Sequence, residues 1–155
     1  MSERMERSSA ADGKTRQYST FRVHDLYCGI EVIKVQEVIR RQEMTAVPLA
    51  SNAIEGLINL RGQIVIAIDT RRSLGLPGIP GEDERANIVI RTDDTRVSLL
   101  VDEIGDVIDV PLARYAPVPD NIPAQQKELI ECVYDLREGL MLVLDTDRLL
   151  LDACN

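Results

Sequence analysis

Short β-type runs, rich in Ile, Val and Leu and broken by turn residues about every ten positions, are the feature that most limits what this chain can become. That spacing is the signature of small barrels or sandwiches. The runs are Thr20 to Val23, Leu26 to Val32, Val35 to Arg40, Leu57 to Leu60, Ile64 to Ile68, Asn87 to Arg91, Arg96 to Val101, Asp106 to Val110, Glu131 to Leu136 and Leu140 to Leu144. "HD" at His24 and Asp25 and "TDDT" at Thr92 to Thr95 read as hairpin bends. Helices are brief. "DTRRSLG" offers Asp69 as N-cap and Gly75 as stop, "DNIPAQQKELIE" places Pro123 near a start, and "DTDRLLLDAC" is a terminal helix capped by Asp145 or Thr146.

Two internal echoes sharpen this reading. "GIEVIKVQEVI" (Gly29 to Ile39) lies without a gap over "SLLVDEIGDVI" (Ser98 to Ile108), and "IVIAIDTRRSL" resembles "LMLVLDTDRLL". In the second echo each strand ends in Asp-Thr and runs into a short helix. The order is the same in both halves, and between them "GLPGIPG", Gly75 to Gly81, suits a loop or hinge. The expectation is an all-β chain of two similar barrels, about five strands each, side by side. They are expected over about 17–80 and 81–153, after a polar disordered tail over 1–16.

Composition removes several alternatives. With 155 residues a sizeable core is available, but aromatics are only 3%, so Ile, Leu and Val must build it. A net charge of -8 opposes a polyphosphate partner, and the basic cluster Arg61, Arg71 and Arg72 lacks aromatic neighbours. Cys28, Cys132 and Cys154 are odd in number and widely spaced, which argues for a reducing compartment over a disulfide frame or zinc site. No run suits a membrane span, and the opening segment has no apolar signal core. A soluble cytoplasmic protein is expected, and the polar tail and capped last helix fit a free-standing chain.

Motifs for chemistry are missing. The one histidine, His24, sits at a bend, and no nucleophile elbow or phosphate loop is present. Asp102, Glu103, Asp106 and Asp109 cluster on and after one strand, but without the ligand alternation of a calcium loop. They read as a solvated strand face, with a small hydrolase using Asp102 and Asp106 as the enzymatic alternative. No catalytic residue, metal or cofactor is assigned.

The most informative stretch is "NLRGQIVIAIDTRRSLGL", Asn59 to Leu76. Gly62 can take φ > 0 and permit a tight reversal at Arg61-Gly62. Alternation sets Leu57, Asn59 and Arg61 on one face and Ile58 and Leu60 on the other. Gly56 lets a partner's backbone approach closely or lets the chain bend.

"GLINLRGQIVIAIDTRRSLGL", with "YCGIEVIKVQEVIR" upstream and "GLMLVLDTDRLL" downstream, resembles the CheW-like family of bacterial chemotaxis coupling proteins from about Gln17 to Leu151. The resemblance implies two Src-homology-3-like five-stranded barrels and a non-catalytic adaptor. Such adaptors bridge the cytoplasmic tips of chemoreceptors and the regulatory domain of the histidine kinase CheA, and are recruited to membrane-associated arrays. An adaptor of a chemosensory-like pathway for surface motility or gene expression is the alternative within the same family. Receptor-binding positions carried over are Val35, Glu37, Gly56 and Arg61, with Asn59 and Gly62 shaping the turn. Ile33, Val35, Ile54 and Leu57 are expected to line a groove for helical tips. Ile66 stands where the family often has proline, and Thr70 replaces a frequent leucine. "VQE" is expected to present Val35 and Glu37 on a common side, with Arg61 paired to Glu37; the alternative is two solvated side chains.

Overall fold

A computed structural model describes residues 13–40, 42–77, 85–92 and 94–154. Eleven strands are found among them: β1 (Thr15–Val23), β2 (Leu26–Glu31), β3 (Val35–Arg40), β4 (Ile54–Leu60), β5 (Gln63–Asp69), β6 (Ala86–Thr92), β7 (Thr95–Val101), β8 (Glu103–Pro111), β9 (Tyr115–Ala116), β10 (Ile130–Leu136) and β11 (Gly139–Leu144). Three short helices are α1 (Thr70–Ser73), α2 (Ala124–Lys127) and α3 (Thr146–Cys154). Turns of 3-10 helix at Val32–Lys34 and Leu112–Arg114 complete the elements among the described residues. No described helix is long and apolar enough to cross a membrane.

The mainly β class is as expected, but the halves are not consecutive barrels. One sheet has the order β8-β1-β2-β11-β10-β9 and the other β3-β6-β7-β5-β4. Each therefore takes its hairpin from one half of the chain and its remaining strands from the other. The parallel pairs β2–β11 and β5–β7 are the seams of this exchange. A boundary near residue 80 is thus wrong in kind, because the three-residue 3-10 turn at Val32–Lys34 already carries the chain from one sheet to the other. The repeat itself is real: the echoed segments occupy equivalent strands, β2–β3 over β7–β8 and β5–α1 over β11–α3. Two helices begin alike, with Asp69 accepting from Arg72 N and Asp145 from Arg148 N. At the N-terminus, Thr15 and Arg16 pair with Pro111 and Val110, so the first strand starts inside the stretch assigned to the tail. Residues 1–12, and 78–81 of the Gly/Pro stretch, lie outside the described residues.

Interlocking explains the core. The main cluster joins Phe21, Val23, Cys28 and Ile30 of one sheet to Ile68, Ile88, Ile90, Leu99 and Val101 of the other, with Leu149 and Ala153 of α3. Each barrel also has its own smaller interior, one around Tyr18, Tyr134 and Met141, the other around Ile58, Leu60, Val65, Ala67 and Val89. This answers why β5 is apolar from Val65 to Ile68, whereas Ile64 near its start is exposed. Val65 and Ala67 fill the barrel, while Ile66 and Ile68 face the central core from the opposite side of the strand. A strand buried on both faces loses its polar alternation. Ile66 also pairs with Leu57 on one side and Val97 on the other, an interior position where a proline would remove a ladder donor.

Both barrels are closed by the connection that follows their edge strand. Thr45 exchanges hydrogen bonds with Leu57 of β4 at 2.9 and 2.8 Å. At the equivalent place Ala116 of β9 pairs with Val133 of β10.

Candidate docking site

The corner begins with a two-residue hairpin. Leu60 pairs with Gln63, and the loop residues Arg61 and Gly62 have φ of 53° and 84°. Positive φ at both positions defines the type I′ turn, whose first place normally goes to Asn, Asp or Gly. Arginine is strained there. Asn59 supports the reversal by accepting a hydrogen bond from Gly62 N at 2.9 Å. The inward face carries buried Ile58 and Leu60, while Asn59 and Arg61 are exposed, as alternation required.

Arg61 then reaches across the open side of the sheet. Its Nη1 donates to Glu37 Oε2 at 2.5 Å and its Nη2 to Glu37 Oε1 at 2.8 Å. The two ends of the sheet, β3 and β5's turn, are thereby linked by a bidentate pair. The Arg61 side chain remains 71% exposed and that of Glu37 only 20%, so the guanidinium presents its outer edge to solvent while its carboxylate partner sits beneath. The hydrogen bond from Arg61 holds the Glu37 carboxyl below the usual range, and the same bond raises the guanidinium.

The expected common side for Val35 and Glu37 does not form. A bulge separates them: Val35 pairs with Ile90 and Glu37 with Val89, leaving Gln36 as the extra residue. Ile90 belongs to the central core and Val89 to the barrel interior, so Val35 and Glu37 take opposite faces. Bulges re-aim side chains in this way. Here the bulge turns Glu37 away from Val35, which stays packed on the core, and Arg61 reaches Glu37 from the hairpin turn. A second bulge at Glu55 does the same on β4, sending Ile54 to the central core and Gly56 inward.

Gly56 is buried and presents no surface. A Cβ there would lie 2.7 Å from the carbonyl oxygen of Thr45 and 3.1 Å from Met44 Cβ, so the close backbone approach is made by this chain itself. Of the groove candidates, Val35, Ile54 and Leu57 are half-buried, and Ile33 stands out at 86% exposure on the link between sheets.

The sequence left Arg71 and Arg72 unplaced and read Asp102 as a solvated acid. Instead Arg71 is buried, its Nε donating to both oxygens of Asp102 at 2.9 and 2.8 Å and its Nη2 lying 2.6 Å from Oδ2. Asp102 also accepts from the backbone N of His24 at 2.6 Å. This clasp ties the β1–β2 turn to α1, one barrel to the other. Arg72 pairs with Glu55 at 3.1 Å and with Asp69 at 3.5 Å. The signal available was the repeat, which sets Asp102 beyond the end of β7, next to the strand-exchange seam.

Residues 47–50 form a second strained turn. Ala50 N bonds to the carbonyl of Val47, Pro48 occupies the next place, and Leu49 has φ of 66° with its side chain fully exposed. This is the type II position that glycine or asparagine fills without strain. Leu49→Asn is expected to raise stability by about 1 kcal/mol by relieving the left-handed backbone. Urea unfolding midpoints measure it.

Two interlocked barrels define the class first, that of duplicated two-barrel β domains. The crystal structure of scaffolding protein TtCheW from Thermoanaerobacter tengcongensis has this fold, with TM-score 0.77 at 21% identity, covering 85% of this chain and 90% of that one. A CheW-like domain model matches residues 17–154. Chemotaxis protein CheW of Bacillus subtilis is 32% identical over 130 residues, covering 84% of this chain and 83% of that protein. Its counterpart in Klebsiella aerogenes is 28% identical over 122 residues, covering 79% and 74%. The chain belongs to the CheW-like domain family.

Proposed function

We propose that this protein is a non-catalytic adaptor of bacterial chemotaxis. It works in the cytoplasm and couples the helical tips of chemoreceptors to the regulatory domain of the histidine kinase CheA. Family membership supports the adaptor role, and one observation carries the site: an exposed arginine is kept at φ of 53°, where asparagine would be relaxed, and is aimed by a bidentate bond to Glu37. Strain retained at a rigid exposed position points to function. The guanidinium's planar fork offers its remaining donors to carbonyl or carboxylate oxygens on a receptor helix. Leu57, half-buried on the strand that leads to the turn, supplies apolar surface, while Val35 and Ile54 pack on the central core and Gly56 supports the strand from behind. Signal passes through altered contacts between folded surfaces.

Arg61→Asn tests this cleanly, because Asn-Gly is the preferred pair for the turn and the fold is retained. Co-sedimentation with receptor-bearing membranes is expected to fall about tenfold, as for a central interface residue. Binding to the isolated kinase should be unchanged, and the unfolding midpoint equal to wild type or higher. Wild-type pelleting by Arg61→Asn would overturn the assignment of this corner.

A further inference from the structure

Resting on that reading, we propose that Ser51 is a positioning residue for the docking corner, through which the C-terminal helix acts on the barrel that carries Arg61. Residues 42–53 form a strap across the outer edge of β4. One foot is fixed by Gln42 N donating to Asn87 Oδ1 at 3.2 Å, the other by Asp69 N donating to the carbonyl of Ala53 at 2.8 Å. In between, Met44 and Thr45 lie directly over Gly56, and the reciprocal Thr45–Leu57 bonds hold the strap to the strand. Of these two strand residues, Leu57 belongs to the docking surface proposed above and Gly56 supports it from behind.

The side chain of Ser51 adds a bond of another kind. Its Oγ donates to the carbonyl of Ala153 at 2.6 Å. Ala153 is fully buried in the last turn of α3, where carbonyls lack an intrahelical donor. The strap belongs to the first half of the repeat and α3 to the second, so the bond crosses between halves. The opposite barrel repeats the arrangement in reverse: Gln125 Nε2 donates to the carbonyl of Ser73 at 3.0 Å and Gln126 Nε2 to that of Leu74 at 3.2 Å, at the end of α1. Each closing segment is latched to the C-terminal end of the helix that follows the other barrel's strands. Reciprocity across a duplicated fold marks the latch as a device of the architecture.

Ser51→Ala removes the latch and leaves every residue of the corner in place, while Ser51→Thr keeps the hydroxyl. Amide hydrogen exchange at Thr45 and Leu57 reports strap opening, and co-sedimentation with receptor-bearing membranes reports docking. In Ser51→Ala both amides are expected to exchange about fivefold faster, receptor binding to weaken by a similar factor, and the unfolding midpoint to stay near wild type. Ser51→Thr should restore both. Unchanged exchange, or faster exchange with wild-type binding, would overturn the proposal. Arg61→Asn run alongside separates the two ideas: if it binds normally the docking reading fails, whereas if it weakens binding and Ser51→Ala does not, only the latch role fails.

Discussion

Arg71→Met is expected to lower stability by about 3–5 kcal/mol, the cost of leaving a largely buried carboxylate without its partner. Side-chain exposure is 6% for Arg71 and 15% for Asp102, so water can replace little of what the guanidinium supplies. Once Arg71 is gone, Asp102 keeps, among the described residues, only the bond from His24 N, and Pro77 loses the donor that Arg71 Nη1 gives its carbonyl. Against a net stability of about 5–15 kcal/mol for a domain this is a large share. Pairing the change with Asp102→Leu removes the stranded charge, and a packed apolar pair is often neutral or better. The double variant should therefore regain most of the loss. Urea unfolding of the four proteins in this cycle decides the matter, and a single variant within 1 kcal/mol of wild type, by the ~1 kcal/mol median of exposed pairs, would mean that the clasp behaves like a surface pair.

Much of this was legible from residue order. Strand runs, the Asp-Thr helix starts and the Arg61-Gly62 reversal are local patterns, and local patterns fix local geometry. The Arg61–Glu37 pair was reachable too, since both positions frame one face of a family-like motif. What stayed hidden depends on pairing between distant segments. Nothing along β3 announces that Gln36 will be the extra residue against β6, so strict alternation put Val35 and Glu37 together when the bulge sets them apart. Hairpin exchange was hidden for the same reason: the repeat declares that two halves are alike, not which half supplies each strand to each sheet. Asp102 looked like one more acid on a polar strand because its buried partner lies 31 positions away. Gly56 was read as a place for a partner's backbone or a bend, and the backbone that approaches it in the structure is this chain's own Thr45.

That last point sets the outcome of Gly56→Val. The new Cβ would sit 2.7 Å from the Thr45 carbonyl oxygen and 3.2 Å from its carbon, and neither is the yielding end of a flexible side chain. The strap must lift, which breaks the two Thr45–Leu57 bonds and exposes the outer edge of β4. Crowding of this sort costs about 1–3 kcal/mol, so the domain survives while its wall is displaced. Receptor-dependent sedimentation should drop about tenfold, in keeping with loss of a central contact region. Kinase binding should hold, because strap and β4 belong to the receptor-docking corner proposed above. Gly56→Ala should move the same way by less, since the first added carbon already meets Thr45 and the β-branch adds to it. If receptor and kinase binding instead fall together, the residue supports the fold as a whole and has no separate part in docking.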